Sequence, residues 1–206
     1  VAVARAQAPT APPQTAARAV SLDGAWQIRP ESDPDGWRPV QVPAAFETAL
    51  GEDFDGVARY RLHLPLTAAS RVASARVEFA AVATHARVVC NGVEVGEHLG
   101  GWTPFRVELT EALRWDGHDV LEVVVDERVG HNTQGFLPVI QPHFGGIWQG
   151  VTLRLDDGPV LDRLVFSAHA TADGLCECSA RVLGGAGRRL HVEVRVGDDD
   201  PSLGAL

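Results

Sequence analysis

The chain contains no lysine and no methionine, and it has only three cysteines and one tyrosine among its 206 residues. All 18 fixed positive charges are therefore arginines, and 27 acidic residues outnumber them to give a formal charge of −9. A nucleic-acid partner requires clustered basic side chains, so this balance argues against one. A neutral ligand suits the composition better than a polyanion does.

Long apolar runs are also missing. No stretch approaches the ~20 apolar residues that a membrane-spanning helix needs, so we expect no membrane span. The lack of methionine indicates that the chain does not begin at its own initiator. Its first residues, VAVARAQAPTAPPQTAA, are typical of the end of a signal region with an Ala-Gln-Ala cleavage site and a Pro/Ala/Thr linker. We expect a periplasmic or secreted protein, the alternative being a cytoplasmic domain with a flexible leader.

Metal and cofactor motifs are absent as well. Three cysteines do not make a disulfide framework, and no histidine pattern completes a zinc site around Cys176 and Cys178. The acidic segment 47–55 (ETALGEDFD) lacks the spacing of a calcium-binding loop. We therefore interpret the cysteines, including Cys90, as structural thiols and the acidic segment as a solvated loop. We expect no metal and no cofactor.

Alternation of apolar and polar residues is the dominant pattern that is present. It recurs in ARYRLHLPL, ARVEFA, FRVEL, VLEVVVD and VTLRL. Strands with one apolar face are typical of antiparallel sheets with one solvated side, so we predict an all-β sandwich or barrel. The core residues that the pattern predicts are Tyr60, Leu62, Phe79, Phe105, Leu121, Val123 and Leu153.

Turn signals divide these strands. Asn91-Gly92, between RVVC and VEV, predicts a type I′ hairpin because both central positions of that turn need positive φ. The only helical pattern is TEALR, at 110–114, one short turn that opens on a threonine. A domain boundary is expected at DDGPV, 156–160. Beyond it LDRLVFS, LCECSARVL and RLHVEVRV predict three further strands, about half of a second sandwich, and we expect the chain to be cut there.

Six segments carry a family pattern: LDGAWQIR, VPAAF, ARYRLHL, VVCNGVEVGEHLGGWTPF, DVLEVVVD and HFGGIWQGVTL. In this order they resemble the N-terminal sugar-binding jelly-roll domain of glycoside hydrolase family 2, which contains β-galactosidases, β-glucuronidases and β-mannosidases. The tail from Leu161 resembles the immunoglobulin-like sandwich that follows in that family. The expected organisation is a disordered leader at 1–19, a jelly-roll domain at 20–158 and an incomplete immunoglobulin-like sandwich at 159–206.

The resemblance implies an enzyme whose chemistry lies elsewhere. In family 2 the catalytic glutamates belong to a (β/α)₈ barrel that follows the immunoglobulin-like domain, and this chain ends before it. Retaining hydrolysis needs two carboxyl groups ~5–5.5 Å apart, whereas the acids here fall on predicted solvent faces of strands or in turn-like runs. We expect no catalytic residue in this chain, no hydrolysis by the chain alone, and the missing barrel as its partner.

The long loop at 126–148 is the segment best suited to a sugar. It concentrates amides, histidines and aromatic rings, and long loops on a rigid β scaffold are disproportionately functional. In several family 2 enzymes this loop reaches the active site and supplies a sugar contact just before the Gly-Ile-Trp-like motif. The residues predicted to bind substrate are Gln141, His143, Asn132, Gln134 and Trp102.

Structural roles compete with these assignments. Gln141 and His143 serve equally well as partners within the loop, and Trp102 is either a packed side chain or an open platform. We interpret Trp148 as core and residues 86–109 as mostly scaffold. In the β-galactosidase type a polar sugar contact lies about eight positions before Asn-Gly, where this sequence has Ala83; the departure argues against galactose specificity.

Two functions follow from these observations. The first is the non-catalytic, carbohydrate-binding N-terminal part of an exo-acting family 2 glycoside hydrolase. The alternative is a stand-alone carbohydrate-binding or adhesion module on the same jelly roll. The three extra strands favour the first, because an isolated module would not carry unpaired strands with exposed edges.

Overall fold

The computed structural model describes residues 17–128, 144–168 and 176–184. This part of the chain forms one short helix, α1 (Glu47–Leu50), one 3₁₀ turn (Ala68–Ser70) and twelve strands. The strands are β1 (Ala17–Ser21), β2 (Gly24–Pro30), β3 (Arg38–Val42), β4 (Val57–Leu64), β5 (Ser74–Phe79), β6 (His85–Cys90), β7 (Val93–Leu99), β8 (Phe105–Glu108), β9 (Asp119–Asp126), β10 (Val151–Asp156), β11 (Val160–Ala168) and β12 (Cys176–Leu183).

Two antiparallel sheets form the main body. One has four strands in the order β1-β10-β5-β8, and the other has six in the order β3-β2-β4-β9-β6-β7. Strands β11 and β12 form a separate antiparallel pair after the boundary region. The arrangement confirms the predicted all-β fold, an antiparallel sandwich of the jelly-roll type. The assignment of β11 and β12 to a second, immunoglobulin-like sandwich stays a prediction.

The core follows the alternation seen in the sequence. Of the seven core residues predicted, Tyr60, Phe79, Leu121, Val123 and Leu153 are at most 2% exposed. Leu62 and Phe105 are only half-buried at the edge of this cluster. Phe105 starts β8 at the end of its sheet and stacks between Phe79 and the ring of His98, at centroid distances of 4.9 and 4.3 Å. Its ring is therefore covered by neighbours without being fully enclosed.

The hairpin predicted at Asn91-Gly92 connects β6 and β7, with φ of 52° and 84° at its two central residues. The Asn91 side chain also serves the core. Its Nδ2 donates to the carbonyl of Ala112 at 2.8 Å and to Oδ1 of Asp119 at 2.6 Å, and its Oδ1 accepts from the Val120 amide at 3.0 Å. Since Asp119 is fully buried, this network ties the hairpin to the start of β9.

The α-helix does not lie in TEALR, the segment in which the sequence pattern indicated a helical turn. TEALR forms one hydrogen-bonded turn, with the Leu113 amide donating to the Leu109 carbonyl at 3.1 Å, and the Thr110 hydroxyl accepts from the Ala75 amide at 2.7 Å in place of capping. The α-helix lies instead within the acidic segment that we interpreted as a loop. Four residues give too short a helix for a periodic pattern, so its formation depends on the packing around Phe46 and Glu47.

The domain boundaries can be placed beside these elements. β1 begins at Ala17, inside the segment 1–19 assigned to a leader, and β10 and β11 flank the turn residues at 157–159. The third strand expected beyond the boundary, RLHVEVRV, lies outside the described residues. In the described part of the chain, no helix has the length and apolar character needed to cross a membrane.

Candidate functional site

The returning end of the long loop is fixed by backbone contacts around Gly145-Gly146. Gly146 forms an antiparallel bridge with Ala83, with N–H···O distances of 3.0 and 2.9 Å in the two directions. Its φ is 107°, and a Cβ added there would collide with the hydroxyl of Tyr60. The carbonyl of Ile147 accepts from the Ala44 amide at 2.9 Å. The Gly-Gly-Ile motif is therefore a close backbone approach that only glycine permits.

Tyr60 is the buried side chain around which this return is built. The Ile147 amide donates to its phenol oxygen at 3.4 Å, and its ring packs edge-on against Trp26 at 6.4 Å. Burial raises the pKa of the Tyr60 phenol, with the nearby carboxylates of Glu47 and Glu127 acting in the same direction. The hydroxyl therefore stays protonated and acts as a structural partner for the loop.

Three aromatic rings, Trp102, Phe144 and Trp148, meet where the Gly-Gly-Trp loop and the long loop touch; we call them the aromatic trio. Their edge-to-face contacts have centroid distances of 4.8 Å for Trp102–Trp148, 5.8 Å for Trp102–Phe144 and 5.7 Å for Phe144–Trp148. The Trp148 indole Nε1 donates to the Gly101 carbonyl at 2.9 Å. The trio joins two connections that are far apart in the sequence.

Trp102 is the exposed member of the trio. It is 49% exposed, whereas Trp148 and Phe144 are half-buried. An exposed ring held by two others offers a rigid apolar face, which is the kind of surface that packs against the C–H side of a sugar ring. Trp148 lies three residues before β10 begins, and its role combines packing with support of Trp102.

The other four predicted site residues, Asn132, Gln134, Gln141 and His143, lie outside the described residues. Trp102 reaches the ring of Phe144, the residue that follows His143 in the sequence. The stretch 86–109, which we interpreted as mostly scaffold, thus also contributes an exposed ring beside the end of the predicted sugar-binding loop.

A groove of about 430 Å³ lies on the four-stranded sheet next to the Gly-Gly-Trp loop. Part of its polar lining is already paired, because Glu78 accepts from Arg154 Nε at 2.9 Å and lies 3.6 Å from Arg76 Nε. The residues that line the groove are Glu78, Phe79, Ala80, Pro104, Phe105, Arg106, Gly150 and Thr152.

Two carboxyl groups at the base of the long loop were missed by sequence reasoning. We expected the acids to lie on solvent faces or in turns, but Glu127 is 1% exposed and Glu47 is half-buried. Oε1 of Glu127 accepts from the Gly56 amide at 3.0 Å, and Oε1 of Glu47 accepts from the Gly145 amide at 2.9 Å. Burial is the main cause that raises the pKa of both, for Glu127 to about 7.

This pair does not have the access that glycoside hydrolysis needs. One oxygen of each carboxyl group binds a backbone amide, and the other, Oε2, is enclosed by protein atoms. A catalytic acid and nucleophile must reach opposite sides of a scissile bond. Glu47 and Glu127 therefore form a structural pair, and their burial had no sequence signal because Glu127 directly follows an alternating strand.

Possible metal ligands and the thiol of Cys90 are further reactive groups in the domain. In residues 17–128, 144–168 and 176–184, no three His, Cys, Asp or Glu side chains come together so as to hold a metal ion. Cys90 is a free, buried thiol, and burial raises its pKa to about 11. A thiol that is protonated at neutral pH is a poor nucleophile, which fits a structural role for Cys90.

Comparison with protein families matches residues 6–153 to the family described as "Glycosyl hydrolases family 2, sugar binding domain". The chain is 31% identical over 131 residues to a β-galactosidase of Thermoanaerobacter pseudethanolicus, covering 62% of this chain and 18% of that protein. It is 28% identical over 146 residues to a β-glucuronidase of Formosa agariphila, covering 64% of this chain and 15% of that protein. The match thus spans less than a fifth of these relatives.

Solved structures share the fold. A β-D-glucuronidase of Dictyoglomus thermophilum superposes with a TM-score of 0.63 at 20% identity, over 82% of this chain and 33% of that one. A β-glucuronidase of Ruminococcus gnavus superposes with a TM-score of 0.60 at 16% identity, over 81% of this chain and 33% of that one. At this level of identity the likeness concerns the fold alone.

Proposed function

Because the chain belongs to the glycoside hydrolase family 2 sugar-binding domain family, we propose that it is the non-catalytic N-terminal part of an exo-acting glycosidase. The catalytic glutamates would belong to a barrel that follows in the same polypeptide. The observation that carries this proposal is the family match over residues 6–153. It is supported by relatives that are several times longer than the region in which they match this chain.

The described acids support a non-catalytic role for this part. The two carboxyl groups whose pKa burial raises, Glu47 and Glu127, are enclosed and bound to backbone amides. The domain would instead contribute a carbohydrate-binding edge to an active site completed by the barrel. The alternative, a stand-alone binding module, has less support because the matched relatives are glycosidases.

The proposed edge consists of Trp102 and the long loop, with Gln141 and His143 nearest the sugar and Asn132 and Gln134 behind them. Trp102 supplies an exposed ring, 49% accessible, beside Phe144 at the loop's returning end. Amide and imidazole groups suit sugar hydroxyls because they both donate and accept hydrogen bonds.

Affinity is expected to require the barrel. A few exposed hydrogen bonds are worth only ~0.5–1.5 kcal/mol each after competition with water, while association costs at least ~4 kcal/mol. The chain alone should therefore bind a monosaccharide in the millimolar range or more weakly. In a closed, desolvated pocket the same groups would act on the transition state.

The substrate class proposed is a terminal β-linked sugar, and the relatives define the panel to test. Two relatives are named a β-galactosidase and a β-glucuronidase. Ala83, buried in the bridge to Gly146, offers no polar group at the position that corresponds to a sugar contact in the β-galactosidase type. This favours a sugar other than galactose.

The test is to extend the reading frame beyond Leu206 and to assay both proteins on nitrophenyl β-glycosides, including galactoside, glucuronide and mannoside. We expect hydrolysis by the extended protein and none above a buffer blank by the 206-residue chain. Turnover by the short chain would contradict the proposal. So would a reading frame that ends at Leu206 together with micromolar oligosaccharide binding, which would identify a stand-alone module.

We also propose that the protein is exported to the periplasm or secreted. The support is the Ala-Gln-Ala sequence at 6–8 and the Pro/Ala/Thr segment after it. Fractionation of cells that express the natural gene should recover the protein outside the cytoplasm, with a mature N-terminus close to this site. Recovery of the unprocessed protein in the cytoplasm would contradict export.

A further inference from the structure

Glu47 and Glu127 meet at a point where both ends of the long connection between β9 and β10 come together. Glu127 directly follows β9, and the connection returns at Gly145. A Cβ built on Gly145 would lie 2.9 Å from Cβ of Glu127, so the two ends are in contact. Glu47, from α1, binds the Gly145 amide at 2.9 Å from another side.

In each of the two carboxyl groups, one oxygen has a hydrogen-bond partner within the described part of the chain and the other has none. Each uses Oε1 for a backbone amide, Gly56 for Glu127 and Gly145 for Glu47. Each leaves Oε2 enclosed, with no hydrogen-bond donor among the described residues. Two ionised carboxylates with unpartnered buried oxygens would be strongly unfavourable, because burial without a compensating partner penalises the charge.

Among the described residues, the charged groups that shift the pKa of Glu127 are all negative. Asp55 and Asp126 add negative charge, and Arg128 directs its guanidinium to Asp126 at 2.9 and 3.0 Å. From β4 the group that faces the pair is the phenol of Tyr60. A divalent cation prefers six or more oxygen ligands, and the described residues offer only two buried carboxyl groups here.

We propose that Glu47 and Glu127 share one proton between their Oε2 atoms, and that this acid pair holds together both ends of the β9–β10 connection. Glu127 carries the proton and donates it to Glu47, while each Oε1 keeps its backbone amide. The pair is therefore a positioning device for the two described ends of this connection, at Glu127 and Gly145. The pKa of Glu127, raised by burial to about 7, agrees with this placement of the proton.

The sign of the pH dependence follows from the raised pKa. Glu127 has an ordinary pKa of 4.5 and about 7 in the folded protein. The folded state thus retains a proton that the unfolded chain loses between those values. The contribution to stability is fully present below 4.5 and is lost as the pH rises through about 7.

The substitution Glu127→Gln removes the titrating proton but keeps the hydrogen-bonding geometry of the pair. Its amide donates permanently to Glu47, and its carbonyl still accepts from Gly56. Glu47→Gln reverses the roles and serves as a second variant if the first folds poorly. Glu52→Gln is the matched control, since Glu52 is exposed in the same acidic segment.

The experiment uses the 206-residue chain with ¹³C-labelled glutamate side chains, titrated by NMR. We expect one carboxyl resonance with a midpoint near pH 7, absent in Glu127→Gln and unchanged in Glu52→Gln. At about pH 8, one unit above the midpoint, the ionised form of the pair should outnumber the protonated form about tenfold. The wild-type amides of Gly56 and Gly145 should then exchange with solvent roughly tenfold faster than those of Glu127→Gln, which keeps its donor at this pH.

Two outcomes would overturn the proposal. One is a set of glutamates that all titrate in their ordinary range. The other is a wild-type protein whose thermal midpoint at about pH 6, below the pKa of about 7, rises on addition of calcium or magnesium while that of Glu127→Gln does not. A cation would then hold the pair at a pH where the proposal places a proton.

Discussion

The indole Nε1 of Trp148 donates a 2.9 Å hydrogen bond to the carbonyl of Gly101, 47 positions earlier in the chain. This bond joins the end of the long loop to the Gly-Gly-Trp loop. It supports the ring of Trp102, whose centroid is 4.8 Å from that of Trp148. The exposed ring is therefore held in a fixed orientation by a neighbour from a different connection.

Trp102→Ala should weaken the use of substrate by the complete enzyme. Loss of an aromatic contact worth about 0.5–1.5 kcal/mol would lower kcat/KM roughly twofold to tenfold. Steady-state kinetics on the best glycoside checks this. The control is Trp37→Ala, which removes a half-buried ring that packs under Arg61 at 3.9 Å on the six-stranded sheet. Equal kinetics for Trp102→Ala and the parent would make the aromatic trio a structural feature.

Gly146→Ala should destabilise the domain strongly. Gly51→Ala is the control that separates backbone strain from steric overlap. Both glycines have a φ of 107°, but space around Gly51 is open, whereas a Cβ on Gly146 would meet Tyr60 and Phe46. The shared backbone strain costs about 1–3 kcal/mol, and overpacking adds a further 1–3 kcal/mol at Gly146. Urea unfolding of both variants measures the difference. Equal losses in the free energy of unfolding would show that the backbone around Gly146 shifts to accommodate the added Cβ.

Asn91→Gly should cost stability even though glycine suits the positive φ of this turn. The substitution removes the two bonds donated by Nδ2 and the one accepted by Oδ1, and it leaves the fully buried Asp119 short of a donor. We expect a loss of about 2–4 kcal/mol in the free energy of unfolding. Asn91→Asp should lose more at neutral pH than in acid, because a second carboxylate would face Asp119. If Asn91→Gly leaves the free energy of unfolding unchanged, the side-chain hydrogen bonds of Asn91 do not contribute to stability and its role is confined to the conformation of the turn.

Gln141→Ala and His143→Ala, each made in the complete enzyme, should lower kcat/KM by roughly tenfold or more. One lost contact in a desolvated site is worth ~1–3 kcal/mol. The unfolding midpoint of the 206-residue chain should change little for either variant. If both variants hydrolyse their best substrate at the parental rate, the long loop does not contact the sugar.

Sequence patterns were sufficient for features that depend on neighbouring residues. Alternation predicted the burial of Tyr60 in β4 and of Leu121 and Val123 in β9, because side chains in a strand alternate sides. The Asn91-Gly92 turn was predictable because few residues accept positive φ. The helix α1 was not, since its four residues carry no repeating pattern and it forms against the returning loop.

The sequence by itself therefore determined the antiparallel sandwich and its hairpin, which follow from local periodicity and turn chemistry. It also indicated the family, through the resemblance of six segments to a known domain. Only the tertiary structure decided which polar and aromatic side chains meet. Glu127 has the sequence context of a solvent-facing residue, yet it is buried against Gly145 and shares its surroundings with Glu47. Trp102 becomes an exposed ring on an aromatic support because two distant loops are brought together by strand order. Such contacts depend on long-range chain closure, which no local pattern encodes.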